Sequence, residues 1–322
     1  MASSIIKINK NGKKVPIDIS SLPIKDVLSY SRIDCFKSCE YKYLLKYIKK
    51  NYTDDSSLAL RIGTILHLGL EYKYLNKYNN EKIIKIVHDG CIDNDKKVIG
   101  LNELKEEYPF EWEEEDKFGR TYDKKIKLYE ERIKEDIEKE WVCIGCEVEF
   151  YILVENKAVI HGFIDRVDKN IKTGDIRVVD YKSSKKSYEK KELATPMQMF
   201  IYALACKELY GRYPSEFVYD MILIGEKQYA MTKGWEKRGM NMLNNKLNSL
   251  IEHIKTNNNR MKPSPSPLCY WCSYSETNPN ATNGRELCEY YSLWKPEDKT
   301  FKKNKEWIEK NVDDNGWGDC WD

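Results

Sequence analysis

A chain of 322 residues with 54 Lys plus Arg against 52 Asp plus Glu carries a formal net charge of only +2, so bulk charge does not mark a nucleic-acid binder and any basic surface has to be local. One third of the residues are charged and 41% are apolar, a globular balance that argues against a disordered chain. No apolar run approaches the roughly 18 residues of a membrane span, and the opening MASSIIKINKNGKK lacks the apolar stretch of a secretory signal, so a cytoplasmic protein is expected.

Residues 1–28 read as a short arm or one peripheral strand. A helix is expected from Ser31, because Ser31 and Asp34 have capping-box spacing and Ile33, Phe36, Tyr43, Leu44 and Tyr47 follow near helical spacing. A second, strongly apolar helix is expected across much of Leu58 to Tyr78. The acidic, aromatic stretch Glu106 to Glu115 reads as a loop or cover. Ile126, Tyr129, Ile133, Ile137 and Trp141 then mark one face of an amphipathic helix.

The texture changes at Trp141. Val142 to Val154 and Ala158 to Val167 read as two strands, with Glu155 and Asn156 as the turn between them. Asp175 to Lys182 reads as a third strand after the turn residues Thr173 and Gly174. A helix follows with Thr195 at its cap, Pro196 at its first position and Gly211 at its end. Glu216 to Met231 offers further strand, and Gly234 to Lys255 another helix. Lys262 to Pro267 is a Pro/Ser spacer into a cysteine-bearing segment, after which a lysine-rich helix and a polar end are expected. There is no internal repeat.

The chemistry concentrates in Gly162-Phe163-Ile164-Asp165 and, fifteen residues on, Asp180-Tyr181-Lys182. Side chains alternate along a strand, so Asp180 and Lys182 share a face. If the preceding strand is the neighbour, Asp165 converges on the same point. Two carboxylates from adjacent strands make an oxygen-rich site for Mg²⁺ or Mn²⁺, and a lysine beside them can stabilise charge on a scissile phosphate. A D-x-K taken alone is more often a strand end with an exposed lysine. Here Ile176, Val178 and Val179 precede Asp180 and suggest a buried strand, where an acid needs a reason.

These segments resemble the PD-(D/E)XK nuclease superfamily, in particular its RecB-type branch, which includes the nuclease modules of RecB and AddB and the CRISPR adaptation nucleases. The resemblance runs from about Ser29 to Cys288. HGFIDRVD, from His161, looks like the branch's second motif, and VVDYKS, Val178 to Ser183, like its third. It implies an α/β fold with a mixed central sheet flanked by helices, Asp165 and Asp180 as metal ligands, the Tyr181 carbonyl as another, and Lys182 as catalytic. His67, in RIGTILHLGLEY, matches the branch's metal-binding histidine, although a lone histidine on an apolar helix is more often a core residue. Gln198 and Tyr202, in QMFIY, match its Q-x-x-x-Y signature and share a helix face. Thr195 and Gln198 also have capping-box spacing, so Gln198 can equally close its own helix. Glu147 and Glu149 share a strand face before the second motif and are left outside the site. The organisation implied is an N-terminal arm (1–28), a helical region carrying Cys39 and His67 (29–141), a nuclease core (142–256) and a cysteine-bearing segment with a tail (257–322).

Ten cysteines in a reducing compartment do not suggest a disulfide framework. Cys269 and Cys272 form a C-x-x-C after the Pro/Ser spacer, with Cys288 farther on. Structural zinc and iron–sulfur centres commonly need four protein ligands. Iron–sulfur members of the branch carry one cysteine far upstream of a C-terminal trio, which implies Cys39 as the fourth ligand of a 4Fe–4S cluster, with zinc as the alternative. The gap from Cys272 to Cys288 is longer than in those relatives, and Cys35, one helical turn before Cys39, competes for the role. Cys143 and Cys146, on a strand, are expected to be buried apolar residues, as are Cys91, Cys206 and Cys320.

The function implied is a divalent-metal-dependent deoxyribonuclease, an exonuclease acting in DNA recombination, replication or repair. The alternative is a non-catalytic DNA-binding or scaffold subunit, against which the intact Asp165, Asp180, Lys182 and His67 argue. No G-x-x-x-x-G-K-[ST] phosphate loop occurs in the sequence, so any helicase motor is expected to be a separate partner.

Overall fold

The chain opens with a hairpin in which β1 (Ile5–Ile8) pairs antiparallel with β2 (Lys14–Ile17), two strands where one or none was expected. The computed structural model describes residues 5–8, 14–51, 57–93, 96–117, 122–135, 140–184, 186–194, 197–230, 235–255, 261–266, 269, 272–275 and 288. Behind the hairpin, Leu22, Ile24 and Leu28 are buried. Leu28 accepts from the His161 amide at 2.8 Å and donates to the Val159 carbonyl at 2.9 Å. Residues 24–28 are therefore hydrogen-bonded to the β5–β6 hairpin.

Helix α1 (Tyr30–Ser38) is capped by Ser29, whose side chain accepts from the Arg32 amide at 3.2 Å. The cap lies two residues before the one expected, because the Leu28 pairing leaves Ser29 extended and free to turn its oxygen inward. The single helix expected through Tyr47 breaks at Cys39, which is extended and caps the short α2 (Glu40–Tyr43) through its sulfur. A π-helical turn, Leu44–Ile48, continues from it.

Helix α3 (Leu58–Tyr74) is followed by α4 (Asn80–Asp89), a small hairpin of β3 (Cys91–Asp93) and β4 (Lys96–Val98), α5 (Leu101–Glu107) and α6 (Pro109–Lys117). The acidic stretch expected as a loop or cover is thus mostly helical. Leu101, Leu104 and Trp112 are buried and anchor it, while Glu106, Glu107, Glu111 and Glu113 are exposed. Helix α7 (Tyr122–Lys134) buries Tyr122, Ile126, Tyr129 and Ile133. Trp141, expected on that helix, begins a strand instead, and Ile137 lies outside the described residues.

The central sheet has the order β5-β6-β7-β8-β9. Strands β5 (Trp141–Val154), β6 (Ala158–Asn170) and β7 (Ile176–Lys182) form an antiparallel meander. Glu155 and Asn156 make the first turn with φ of 43° and 54°, the left-handed backbone that tight hairpins require. After α8 (Lys190–Ala194) and α9 (Met197–Tyr210) the chain returns as β8 (Glu216–Met221), parallel to β7, and β9 (Glu226–Tyr229) closes the edge antiparallel. A parallel neighbour needs such a crossover, so the sheet is mixed, as the α/β reading anticipated. The Thr195 cap and Pro196 lie outside the described residues, as do Cys320 and the lysine-rich end.

Helices α1, α9 and α10 (Trp235–Lys255) cover one sheet face, packing Phe36, Ile201 and Leu247 against Phe150, Ile160 and Val178. Helices α3, α4, α5 and α7 cover the other, with Leu66, Ile83 and Tyr129 against Val179, Tyr181 and Val218. The alternation of β7 splits Val178 and Val179 between two cores, and every residue from Ile176 to Tyr181 is buried. Beyond α10, the Pro/Ser segment is more than a spacer: Met261, Pro263 and Pro265 are buried and the Lys262 carbonyl accepts from the Tyr41 amide at 3.2 Å. No helix among the described residues is long and apolar enough to cross a membrane.

Candidate active site

Pairing between β6 and β7 ends at Arg166 opposite Val179. One step further, the Tyr181 amide donates to Asp165 Oδ2 at 2.7 Å. The carboxylate replaces the missing ladder partner and is held at the strand junction. Asp180 lies one residue earlier on β7, 1% exposed, with its Oδ2 against the Lys182 ammonium. Lys182 Nζ also donates to Gln198 Oε1 at 3.2 Å, and Gln198 Nε2 donates to the Tyr202 hydroxyl at 2.8 Å. Gln198 is therefore engaged with the lysine, through the shared face of α9 that i, i+4 spacing produces.

His67 reaches the same junction from α3. Its Nδ1 is 3.7 Å from Asp165 Oδ2, and its ring meets the Tyr181 ring edge-on, with centroids 5.5 Å apart. Gly63, one turn earlier, allows this approach. A Cβ there would lie 2.8 Å from Ser183 Oγ, just beyond the end of β7.

One residue left outside the sequence reading belongs here. Glu147 lies across β5–β6 from Asp165, between the pairs Cys146–Arg166 and Val148–Ile164. Ligand atoms of His67, Glu147 and Asp165 all lie within 4.8 Å of one another. Glu147 has φ of 45°, a left-handed conformation that is costly for a residue with a Cβ and is often found at functional sites. The observed register puts it there: the turn pairs Val154 with Ala158, and seven residues from the turn along each strand 147 stands opposite 165, a count that the sequence pattern alone does not fix. Glu149, its neighbour on that face, pairs instead with His161 at 3.0 Å. Asp180 is not in the three-residue group; its Oδ2 lies against the Lys182 ammonium.

The electrostatics fit a cation site. Burial, then the nearby Asp180 charge, pushes the Asp165 carboxyl well above the usual carboxylate range, against the pull of the Tyr181 amide. Burial, then Glu71 and Asp180, raises Glu147. Glu71 follows His67 by one turn of α3. Glu147 is exposed and Asp165 half-buried, and acids that repel one another are what a divalent cation relieves. Burial lowers the His67 pKa, although Asp180 and the Tyr181 main chain pull it upward, so the imidazole is neutral at pH 7 with a lone pair to offer. Burial opposes the Lys182 ammonium, but Asp180 reverses this and holds its pKa above the ordinary lysine value. The group stays charged.

The cysteine prediction names a second cluster. Cys39, Cys269, Cys272 and Cys288 line one cavity of about 470 Å³, together with Cys35. Main-chain amides point at the sulfurs: Lys42 and Ser264 donate to Cys39 Sγ at 3.4 and 3.5 Å, and Ser266 to Cys269 Sγ at 3.4 Å. Burial raises the thiols of Cys39 and Cys269, and pushes Cys35 up to about 11. Amides aimed at sulfur favour thiolate and burial opposes it, a balance that a bound metal tips toward thiolate. The break at Cys39, invisible to helical periodicity, turns its sulfur into this cavity. By contrast, Cys143 and Cys146 are not buried alone. They are half-buried with sulfurs 3.5 Å apart, beside a register shift between Cys143 and Gly145 in β5. Cys206 is buried as expected, and Cys91 is half-buried.

A family model described as the PD-(D/E)XK nuclease superfamily matches residues 27–277. No curated protein matches the chain.

Proposed function

Because the chain belongs to the PD-(D/E)XK nuclease superfamily, a family of metal-dependent nucleases, we propose that it hydrolyses phosphodiester bonds of DNA through a divalent cation, Mg²⁺ or Mn²⁺, held by His67, Glu147 and Asp165. Asp180 and the Tyr181 carbonyl are further oxygen donors at the same junction. The observation that carries this reading is the meeting of three ligand atoms within 4.8 Å, one buried carboxylate away from a charged lysine. Nitrogen and carboxylate donors of this kind suit the hard and borderline divalent cations.

When bound, such a cation supplies Lewis acidity and a water of lowered pKa. The chain's own groups do the rest. Lys182 carries a fixed positive charge for the phosphate oxygens as negative charge grows on them. Asp180 and Gln198 hold that ammonium from two sides, and Tyr202 in turn orients Gln198. Neutral His67 offers its lone pair without having to lose a proton first. Asp165 is oriented by the Tyr181 amide, so its free oxygen is aimed before any ligand arrives.

We further read the chain as a RecB-type nuclease acting from DNA ends, with Cys39, Cys269, Cys272 and Cys288 holding a 4Fe–4S cluster. The amides aimed at the sulfurs and the shared cavity support a metal there. Tetrahedral zinc on the same four sulfurs is the alternative. Such a centre would tie α2 to the segment after α10 and contribute to folding rather than hydrolysis.

The test is digestion of end-labelled single- and double-stranded DNA with Mg²⁺, Mn²⁺ or EDTA. Cleavage is expected with either cation and absent in EDTA, with product released progressively from the ends. Full activity in EDTA, or in Asp165→Ala, would overturn the reading.

A further inference from the structure

A second cavity, of about 360 Å³, opens beside the lysine on the sheet face covered by α1, α9 and α10. Gln198, which bonds the Lys182 ammonium, forms part of its wall. Three tyrosines line it: Tyr30 at the start of α1, Tyr188 in the segment after β7, and Tyr219 on β8. Tyr188 and Tyr219 meet edge to face with centroids 4.8 Å apart, and Lys182 Nζ stands 5.7 Å from the Tyr219 centroid. Tyr219 stands opposite Asp180 in the β7–β8 register, so this aromatic wall reaches the strand that carries Asp180 and Lys182.

Its polar groups are distinctive. Asp34, Glu192, Lys37 and Lys246 also line it, with one oxygen of Glu192 accepting from the Glu189 amide at 2.7 Å and the other left for a ligand. A pocket for phosphate alone would not carry two acids and three rings. Flat aromatic faces stack on any base, and carboxylates accept hydrogen bonds from the exocyclic amines of bases. The lysines suit the flanking backbone. The segment carrying Tyr188 is fixed in advance: its amide donates to Gln228 Oε1 at 2.7 Å, and Gln228 Nε2 donates back to the Tyr188 carbonyl at 3.2 Å. A preset ring loses little freedom on binding.

We propose that this cavity takes one unpaired nucleobase of the substrate strand, adjacent to the phosphate presented to Lys182. The proposal rests on the reading of Lys182 as the catalytic lysine only for where that phosphate lies. A base still in its duplex is stacked and paired, and must be extruded at a cost before it can enter. The protein then selects single strands and frayed or unpaired ends over closed duplex.

The test is an abasic scan by fluorescence anisotropy, with wild-type protein in EDTA. A labelled single strand is compared with strands in which one nucleotide, stepped along the sequence, lacks its base. One position should weaken binding roughly 5- to 100-fold, as loss of a stacked base does, and its neighbours should not. Tyr188→Leu and, independently, Tyr30→Leu should remove the difference between intact and abasic strands, and Tyr188→Phe should restore it. Equal binding at every abasic position, or blunt duplex held as tightly as single strand, overturns the proposal. The same strands in Mg²⁺ separate the two readings. Cleavage without a position-dependent penalty defeats the pocket and leaves the catalytic centre. A penalty without cleavage defeats the centre and leaves the pocket.

Discussion

Glu147 faces Asp165 across the β5–β6 hairpin, and the two carboxylates meet the His67 imidazole with ligand atoms within 4.8 Å. Two strands and a helix from outside the sheet thus contribute one donor each. If these three hold the cation, Glu147→Gln keeps the shape and removes a full negative charge. The metal concentration giving half-maximal cleavage should rise at least roughly tenfold, with the rate at saturating metal largely recovered. An unchanged metal titration would take Glu147 out of the ligand set.

Lys182→Ala should lose turnover rather than DNA binding. The ammonium is half-buried beside Asp180 and aimed at charge that exists only in the transition state. Single-turnover cleavage should fall by about 100-fold or more, while DNA affinity measured in EDTA changes little. Weakened binding with normal cleavage at saturation would contradict the role.

Gly63→Ala tests how His67 is brought to the sheet. The new Cβ would lie 2.8 Å from Ser183 Oγ, so α3 must move or Ser183 must give way. Alanine favours a helix over glycine by about 1 kcal/mol, so the melting temperature should change little. Cleavage should fall at least about tenfold, because small displacements of a reacting group are costly. Gly63→Ala with Ser183→Gly should recover activity, a coupling that a double-mutant cycle measures. Full activity in the single variant would show that the close approach is packing alone.

Protein purified without oxygen should be brown and contain iron and sulfide in similar amounts. Cys39→Ser and Cys269→Ser should bleach it and lower the melting temperature before they alter cleavage by the protein that remains folded. One equivalent of zinc without iron would keep the four ligands and remove the cluster. Cys35→Ser serves as the control, and loss of colour there but not in Cys39→Ser would exchange the two residues.

Some of this was fixed by sequence alone, because it rests on local order. The apolar run before Asp180 marks β7 as a buried strand, alternation sets Asp180 and Lys182 on one face, and the turn residues Glu155 and Asn156 mark the hairpin. The same signals locate Asp165 one strand away, and helical spacing joins Gln198 to Tyr202. Tertiary structure decided the rest. Glu147 and Glu149 share a strand face and are equivalent by pattern, yet register carries one to Asp165 and leaves the other with His161. Ser29 rather than Ser31 caps α1 because Leu28 is bound to β6. Helical periodicity runs past Cys39, but the chain breaks there, with the Cys39 sulfur receiving the amides of Lys42 and Ser264, the second from 225 residues away. Periodicity reports which face of an element is apolar; which polar residue on that face becomes a ligand depends on what the rest of the chain brings opposite it.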